Sequence, residues 1–489
     1  MNTPVRRISI AVMAMIILLM GNLTYVQVVK AGEYRDDPRN QRVLVAEYAR
    51  KRGQISADGQ VLASSVPTDD VLQYQRQYPD AAVYAPLTGY YSIKYGSSGL
   101  ERATDEILNG SDDRLFVRRL SDLITGRDPS GGSVVLTIDP AVQEAAYKAL
   151  TSRDYAGAVV ALRPQTGQIL AMASTPTYDP NKLASHSSED QTAAWAQFND
   201  ADPPVLTNRT IAETYPPGST FKLIDTAAAL QNGYTPDSQL TAASEITLQD
   251  TATQLENFSG TACGTGATAS LRDALARSCN TAFAELAANL GEDKIRAQAE
   301  AFGVGTAPPG IPMTVATSTL GDIPDTASLQ QSAIGQRDVR FTPLQNAMIV
   351  AAIANGGQVM APYLVQQVLS PTLDVLDETQ PDQLGRAMPA DVAATLTDLM
   401  IGAENRTQGG GKITGVQIAA KTGTAEHGTD PKVTPPHNWY VAFAPAVNPQ
   451  IAVAVLVENG GDRSLEATGG SRAAPIGRAV IAAGLRSGR

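Results

Sequence analysis

A serine followed three residues later by a lysine occurs once in this chain, in Tyr215-Pro216-Pro217-Gly218-Ser219-Thr220-Phe221-Lys222. Pro217 and Gly218 mark a turn, and residues 221–230 then read as an apolar helix. Helical residues three apart share a face, so the Ser219 hydroxyl and the Lys222 amine can meet at a buried helix start. A serine hydroxyl is a weak nucleophile until a neighbouring base takes its proton. A lysine amine, with an ordinary pKa of about 10.4, is such a base only where burial and a nearby cation keep it neutral. A solvated helix face would carry the same two residues, so the reading depends on what else the chain brings to them.

Two later stretches decide it. Ser278-Cys279-Asn280 lies in a second helical segment, within a pattern spanning 271–290. Lys421-Thr422-Gly423-Thr424 ends a mostly apolar run, 416–420, that reads as a strand. Ser-x-x-Lys, Ser-Asp-Asn and Lys-Thr-Gly mark penicillin-binding proteins and class A β-lactamases. The chain resembles that superfamily, with Cys279 in the middle place of the second motif, over nearly all of its length after an N-terminal anchor. The resemblance implies an α+β serine transpeptidase/β-lactamase-like fold, in which a five-stranded antiparallel sheet with flanking helices stands beside an all-helical lobe. The remaining pattern fits. Runs 156–162 and 168–173 read as a hairpin, 438–444 and 451–458 as later strands, and 473–485 as the helix covering the sheet. A short strand at 134–138 and a helix at 140–150 open this region, and a helix at 343–355 ends at Gly356-Gly357. Gly335-Gln336 and Thr342-Pro343 match the family's wording and take structural roles.

The family cleaves the bond between two D-alanines of a peptidoglycan stem peptide and joins the acyl fragment to an amine of a neighbouring strand. By resemblance, Ser219 is the nucleophile and Lys222 its base. Ser278 passes the proton to the leaving amine, and Asn280 orients Lys222 and the substrate backbone. Lys421 is a fixed cation beside Ser278, and Thr422 and Thr424 bind the terminal carboxylate. The N–H groups of Ser219 and Thr424 form an oxyanion hole, where one donor is worth about 3 kcal/mol. Gly423 lets the substrate backbone lie close to the strand, and Trp439 is a cleft wall or, as the stronger reading, core. β-Lactams mimic the D-Ala-D-Ala end and acylate the same serine.

Arg6 and Arg7 precede an apolar run over residues 8–26, long enough for one membrane-spanning helix. A cleaved signal peptide competes, but no small-x-small site follows at a suitable distance. The expected organisation is a cytoplasmic tail (1–7), an anchor (8–26), a non-catalytic pedestal (27–135) and a transpeptidase domain (136–489). The enzyme would then sit in the cell membrane as a single-pass protein with its catalytic domain outside the cytoplasm. Lys30, Arg35, Arg39 and Arg42 follow the run closely, so charge bias alone does not set orientation. In the pedestal, Arg39-Asn40-Gln41-Arg42, Arg52-Gly53-Gln54-Ile55 and Asp58-Gly59-Gln60-Val61-Leu62-Ala63 resemble class B penicillin-binding proteins. The same residues also read as a basic stretch and a hairpin with an Asp-Gly turn. The zone is too short for a glycan-polymerising domain. The short pedestal and the wording Ser278-Cys279-Asn280-Thr281-Ala282-Phe283 point to an actinobacterial branch of class B. The family's partners are a SEDS-type glycan polymerase and proteins of the division or elongation machinery, with the anchor and pedestal as contact surfaces.

Net charge is −11, which argues against nucleic acid, whose phosphates need a basic face. His186, His427 and His437 are scattered and lack a ligand framework, so no metal and no cofactor are expected. Cys263 and Cys279 either form a disulfide, worth about 3 kcal/mol for a loop of about 15 residues, or are two small buried residues. Gly409-Gly410-Gly411-Lys412 lacks the spacing and the Ser or Thr of a phosphate loop and reads as a flexible turn. Competing functions are a D,D-carboxypeptidase, a β-lactam-sensing or -hydrolysing relative, and a catalytically silent divisome scaffold.

Overall fold

In the computed structural model, residues 2–30, 45, 47–116, 124–126, 130–428, 430 and 433–488 are described. The basic stretch Arg39-Asn40-Gln41-Arg42 and Arg35 lie outside them. The chain opens with a helix, Asn2–Thr24, continued by a π-helical turn, Tyr25–Val29. Thr3–Val29 is long and apolar enough to cross a membrane, and none of its most apolar stretch is buried against the protein. Its apolar surface therefore has no partner among the described residues.

The first sheet has six strands, ordered Val375–Glu378, Val365–Leu369, Ser133–Leu136, Ile55–Ala57, Gln60–Pro67 and Tyr74–Gln77. The expected hairpin is present, turned by Asp58 (φ 48°) and Gly59 (φ 77°). Two adjacent positive φ angles make the tight turn that matches strand twist. This sheet draws on distant parts of the chain. The strand expected at 134–138 pairs in parallel with Ile55–Ala57. Two further strands come from 365–378, deep in the expected catalytic region. Short apolar runs specify burial but not which sheet receives them.

Glu101 is buried under this sheet, with Arg52 Nε at 2.7 Å and Arg76 Nε at 2.6 Å. Burial alone would raise the Glu101 pKa; Arg76 and Arg52 overrule it and hold it below the ordinary carboxylate range.

The second sheet has five antiparallel strands, ordered Ala419–Ala425, His437–Ala444, Ile451–Val457, Gly157–Leu162 and Ile169–Thr175. Side chains alternate between its faces. Val159, Ala161, Tyr440 and Val455 pack under the helices Pro140–Thr151 and Gly469–Ser487. Val160, Leu162, Val441 and Ala454 pack on the other face, against Pro343–Ala354. Burial on both faces is why these strands read as continuous apolar runs.

The helical lobe surrounds Lys222–Gln231, whose residues 222–229 are all buried. The expected continuous helix 271–290 is two helices, Leu271–Arg277 and Asn280–Leu290. Between them Ser278 adopts left-handed backbone angles (φ 62°, ψ 40°). The apolar repeat carries on across the break, so periodicity alone could not reveal it.

Replacing Glu101 with alanine leaves the buried Arg76 without its carboxylate and Arg52 with Asp105 alone, and the expected loss is about 3–5 kcal/mol in chemical denaturation. Removing Glu144, whose pair with Lys148 is exposed at 2.6 Å, should cost less than about 0.5 kcal/mol.

Candidate active site

The turn carrying Ser219 is fixed from three sides. Tyr215 exchanges backbone hydrogen bonds with Phe341 (2.9 and 2.8 Å), and Gly218 N–H donates to Gly335 C=O (3.0 Å). Trp439 Nε1 donates to Pro216 C=O at 2.9 Å. Trp439 is fully buried, so it is core behind the Ser219 turn rather than cleft wall. Gly218 has φ 53°, and a Cβ there would come within 2.8 Å of Thr424 C=O. Gly423 faces the same constraint from the strand: a Cβ would meet Pro217 C=O at 2.8 Å and Thr220 Cγ2 at 3.1 Å. The glycine expected to admit a substrate backbone therefore has a nearer purpose, since it lets the nucleophile turn pack on the strand.

Lys222 is fully buried. Its Nζ donates to Ser278 C=O and Asn280 Oδ1, both at 2.8 Å, and lies 3.1 Å from Ser219 Oγ. A neutral amine has two N–H donors and one lone pair. The two pure acceptors take the donors, which leaves the lone pair for the Ser219 hydroxyl proton. Burial, then the charge of Lys421, push the Lys222 pKa well below its ordinary value, while Asp225 opposes. Asp225 is itself fully buried, and neither carboxyl oxygen has a partner. Burial drives its pKa well up, which weakens its hold on the lysine proton. The sequence reading missed Asp225, although it lies three residues after Lys222 on the same helix.

The helix break at Ser278 supplies the acceptor. Ser278 N–H and Cys279 N–H close the first helix on Leu275 and Ala274 (3.1 and 2.9 Å), and the Ser278 carbonyl is released to Lys222. A non-glycine residue in left-handed backbone costs energy and persists where its surroundings impose it. Lys421 Nζ donates to Ser278 Oγ at 2.8 Å and to Thr422 C=O at 2.9 Å. Burial lowers the Lys421 pKa to about 7. It is therefore a titrating cation near neutrality, where a fixed one was expected, because its contacts with described residues are to uncharged oxygens. Its strand, expected to lie mainly before the motif, is Ala419–Ala425, with Lys421 inside it. Thr422 and Thr424 line one cleft with Ser219, Ser278 and Asn280.

Cys263 and Cys279 are joined by a disulfide, with Cα atoms 5.8 Å apart. Asn257 reinforces the junction, accepting from Thr281 N–H at 3.0 Å, and Asn280 Nδ2 donates to Glu256 C=O at 3.0 Å. The histidines are less scattered than their spacing implied. The rings of His427 and His437 stack at 3.8 Å, and His437 is on a buried strand, where burial and then His427 bring its pKa down to about 3. Among the described residues no three His, Cys, Asp or Glu side chains gather as a metal site. The 409–412 segment is held rather than flexible: Arg478 donates to the carbonyls of Gly409 and Gly410 (2.8 and 2.9 Å).

Residues 157–482 match the penicillin-binding protein transpeptidase domain, and residues 52–134 match the penicillin-binding protein A dimerisation domain. The chain is 58% identical over 491 residues to the peptidoglycan D,D-transpeptidase PbpA of Mycolicibacterium smegmatis, covering 100% of both chains. It is 57% identical to the Mycobacterium tuberculosis PbpA, covering 99% of both. A ceftriaxone acyl-enzyme complex of M. tuberculosis penicillin-binding protein A superposes with a TM-score of 0.89 at 56% identity, covering 90% of this chain and all of that one. The penicillin G acyl-enzyme of the same protein gives a TM-score of 0.86 at 56% identity, covering 89% of this chain and all of that one.

Gly423→Ala should push the Pro217 carbonyl, and Ser219 with it, off position. The expected result is acylation by labelled penicillin slowed about 100-fold, the order of loss a misplacement near 1 Å produces. Gly385→Ala, where an added Cβ meets nothing within 4 Å, is the control and should leave the rate unchanged.

Proposed function

The chain belongs to the penicillin-binding protein transpeptidase family as a class B peptidoglycan D,D-transpeptidase, of the branch that includes the mycobacterial PbpA enzymes, and on that premise we propose the following division of labour. Lys222 takes the Ser219 proton as Oγ adds to the carbonyl carbon of the penultimate D-alanine. The backbone N–H groups of Ser219 and Thr424 receive the developing oxyanion, and the hydroxyls of Thr422 and Thr424 receive the terminal carboxylate. As the C–N bond breaks, Ser278 passes a proton to the leaving amine, with Lys421 beside it and Lys222 restoring what it gives. Asn280 holds the Lys222 amine and the substrate backbone in line. The acceptor amine of a second stem peptide then enters, loses its proton by the reverse path and displaces Ser219 from the ester. β-Lactams stop at the acyl-enzyme stage. The observation that carries this reading is the fully buried Lys222 amine, 3.1 Å from Ser219 Oγ with both N–H donors committed elsewhere.

The Asn2–Val29 helical segment serves as a single-pass anchor in the cell membrane, with the catalytic region outside the cytoplasm; its uncovered apolar surface supports this. The anchor and the 27–135 zone meet a SEDS-type glycan polymerase and proteins of the division or elongation machinery. The catalytic region spans 136–489, apart from the strand Ser133–Leu136 that the two regions share.

Ser219→Ala should abolish covalent labelling by a fluorescent penicillin, and labelling that survives refutes the nucleophile assignment. Lys222→Met should slow labelling about 100- to 10,000-fold, the usual weight of a positioned base.

The pH profile tests the second lysine. Lys421 is charged below its pKa of about 7 and neutral above it, so acylation should decline as pH rises through that value. Lys421→Arg keeps its charge and should remove the alkaline decline; an unchanged limb would show that another group titrates.

A further inference from the structure

The cleft holding Ser219 has a volume of about 490 Å³ and is lined by Thr422, Thr424 and the ends of two helices, Leu271–Arg277 and Ala390–Arg406. These helices pack side by side, tied by Arg272 to Asp398 at 2.6 Å. Their terminal residues, Arg277 and Arg406, both line the cleft and are both exposed. Neither guanidinium forms a hydrogen bond or ion pair with a described residue. Lys421 adds a third cation, and among the described lining residues there is no aspartate or glutamate. This acid-free mouth belongs to a chain of net charge −11.

A cation in the last turn complements a helix dipole, which accounts for an arginine at either end taken singly. It does not account for two helices from distant parts of the chain delivering their cations into one cleft that lacks a carboxylate. The cleft wall beside Arg406 is also rigid, because Arg478 holds the carbonyls of residues 408–410.

The two substrates use this space differently. The donor peptide ends in the carboxylate at Thr422 and Thr424, so nothing of it extends further. The acceptor amine must enter where the leaving amine departed, beside Ser278, because the same groups handle its proton in reverse. Unlike the leaving D-alanine, that amine belongs to a stem peptide that continues outward, and Arg277 is the residue directly before Ser278.

We propose that the space flanked by Arg277 and Arg406 is the acceptor subsite, and that the two guanidiniums bind free carboxylates of the acceptor stem peptide. The site selects a carboxylate-bearing acceptor over the same peptide carrying carboxamides. This inference rests on the transpeptidase reading above and adds the charge state of the second substrate to it.

The test uses the full-length enzyme, a labelled thioester donor and synthetic acceptor stem peptides in carboxylate and carboxamide forms. Wild type should prefer the carboxylate form by about tenfold in kcat/KM, the scale of one charge-assisted contact. The preference should shrink as salt is raised. The double variant Arg277→Gln/Arg406→Gln should bring the ratio to about one while penicillin acylation, which involves no acceptor, stays within about twofold of wild type. An unchanged ratio in the double variant overturns the proposal, as does a wild type with no preference. Loss of penicillin acylation in the double variant also overturns it, since the arginines would then belong to the donor machinery. Wild type that penicillin does not label at all would instead sink the transpeptidase reading.

Discussion

The amine of Lys222 is where the architecture has least freedom. Withdrawing an ammonium from water is expensive enough that the neutral form takes over, and a neutral amine has two hydrogens to place. Three regions of chain solve this together. The first motif supplies the amine and its target hydroxyl, the second supplies two acceptors at 2.8 Å, and the third supplies a second buried lysine. Asp225 belongs to the same solution. Ionised, its charge would favour the proton on Lys222. Buried without a hydrogen-bond partner, it is driven toward the neutral form, and the unsatisfied group costs about 1–3 kcal/mol. Stability is given up beside Ser219, where the Lys222 amine is pushed toward its neutral form.

The backbone carries the same demand outward. For Ser219 to reach Lys222 while its turn lies against the Lys421 strand, Pro217 C=O must approach Gly423 to within the space of a side chain. Ser278 must leave the helix, since a carbonyl inside a helix is already committed to an amide four residues on. The left-handed angle at Ser278 is the local cost of freeing that carbonyl. The Cys263–Cys279 disulfide and the Asn257 hydrogen bonds secure the residues on either side. A residue held in strained backbone needs such surroundings to stay there.

The legible parts of the sequence are those where one residue type has one physical use. The three motifs announced the cleft, and continuous apolar runs announced four of the five strands of the catalytic sheet within a residue or two, because both faces of that sheet are buried; the Lys421 strand lies three to five residues beyond its apolar run. The illegible parts are those where periodicity has nothing to mark. The apolar repeat from Leu271 to Leu290 crosses the break at Ser278 undisturbed, since both helices turn their apolar faces to the same core. Asp225 reads as an ordinary helix polar residue until its burial is known. Whether Lys421 is charged depends on the absence of a carboxylate around it, which no local pattern states. The stacked His427 and His437 come from opposite ends of a strand–strand connection and meet only through sheet register.

The sheet containing Ile55–Ala57 is completed by residues far along the chain. Its inner strand, Ser133–Leu136, pairs on one side with residues 55–57 and on the other with Val365–Leu369. The sheet is therefore unfinished until some 300 residues beyond its first strand have been made, and contacts of such separation close slowly and at an entropic cost. The arrangement also ties the two sheets together. Thr137 Oγ1 donates to Ile169 C=O at 2.8 Å and lies 3.1 Å from Tyr363 C=O, and Ile169 N–H donates to Tyr363 C=O at 3.1 Å. Ile169 begins the strand at the far edge of the catalytic sheet, and Tyr363 leads into the strand that completes the first one. The two sheets are thus joined through hydrogen-bonded backbone rather than a linker, and the opposite edge of the catalytic sheet carries Lys421.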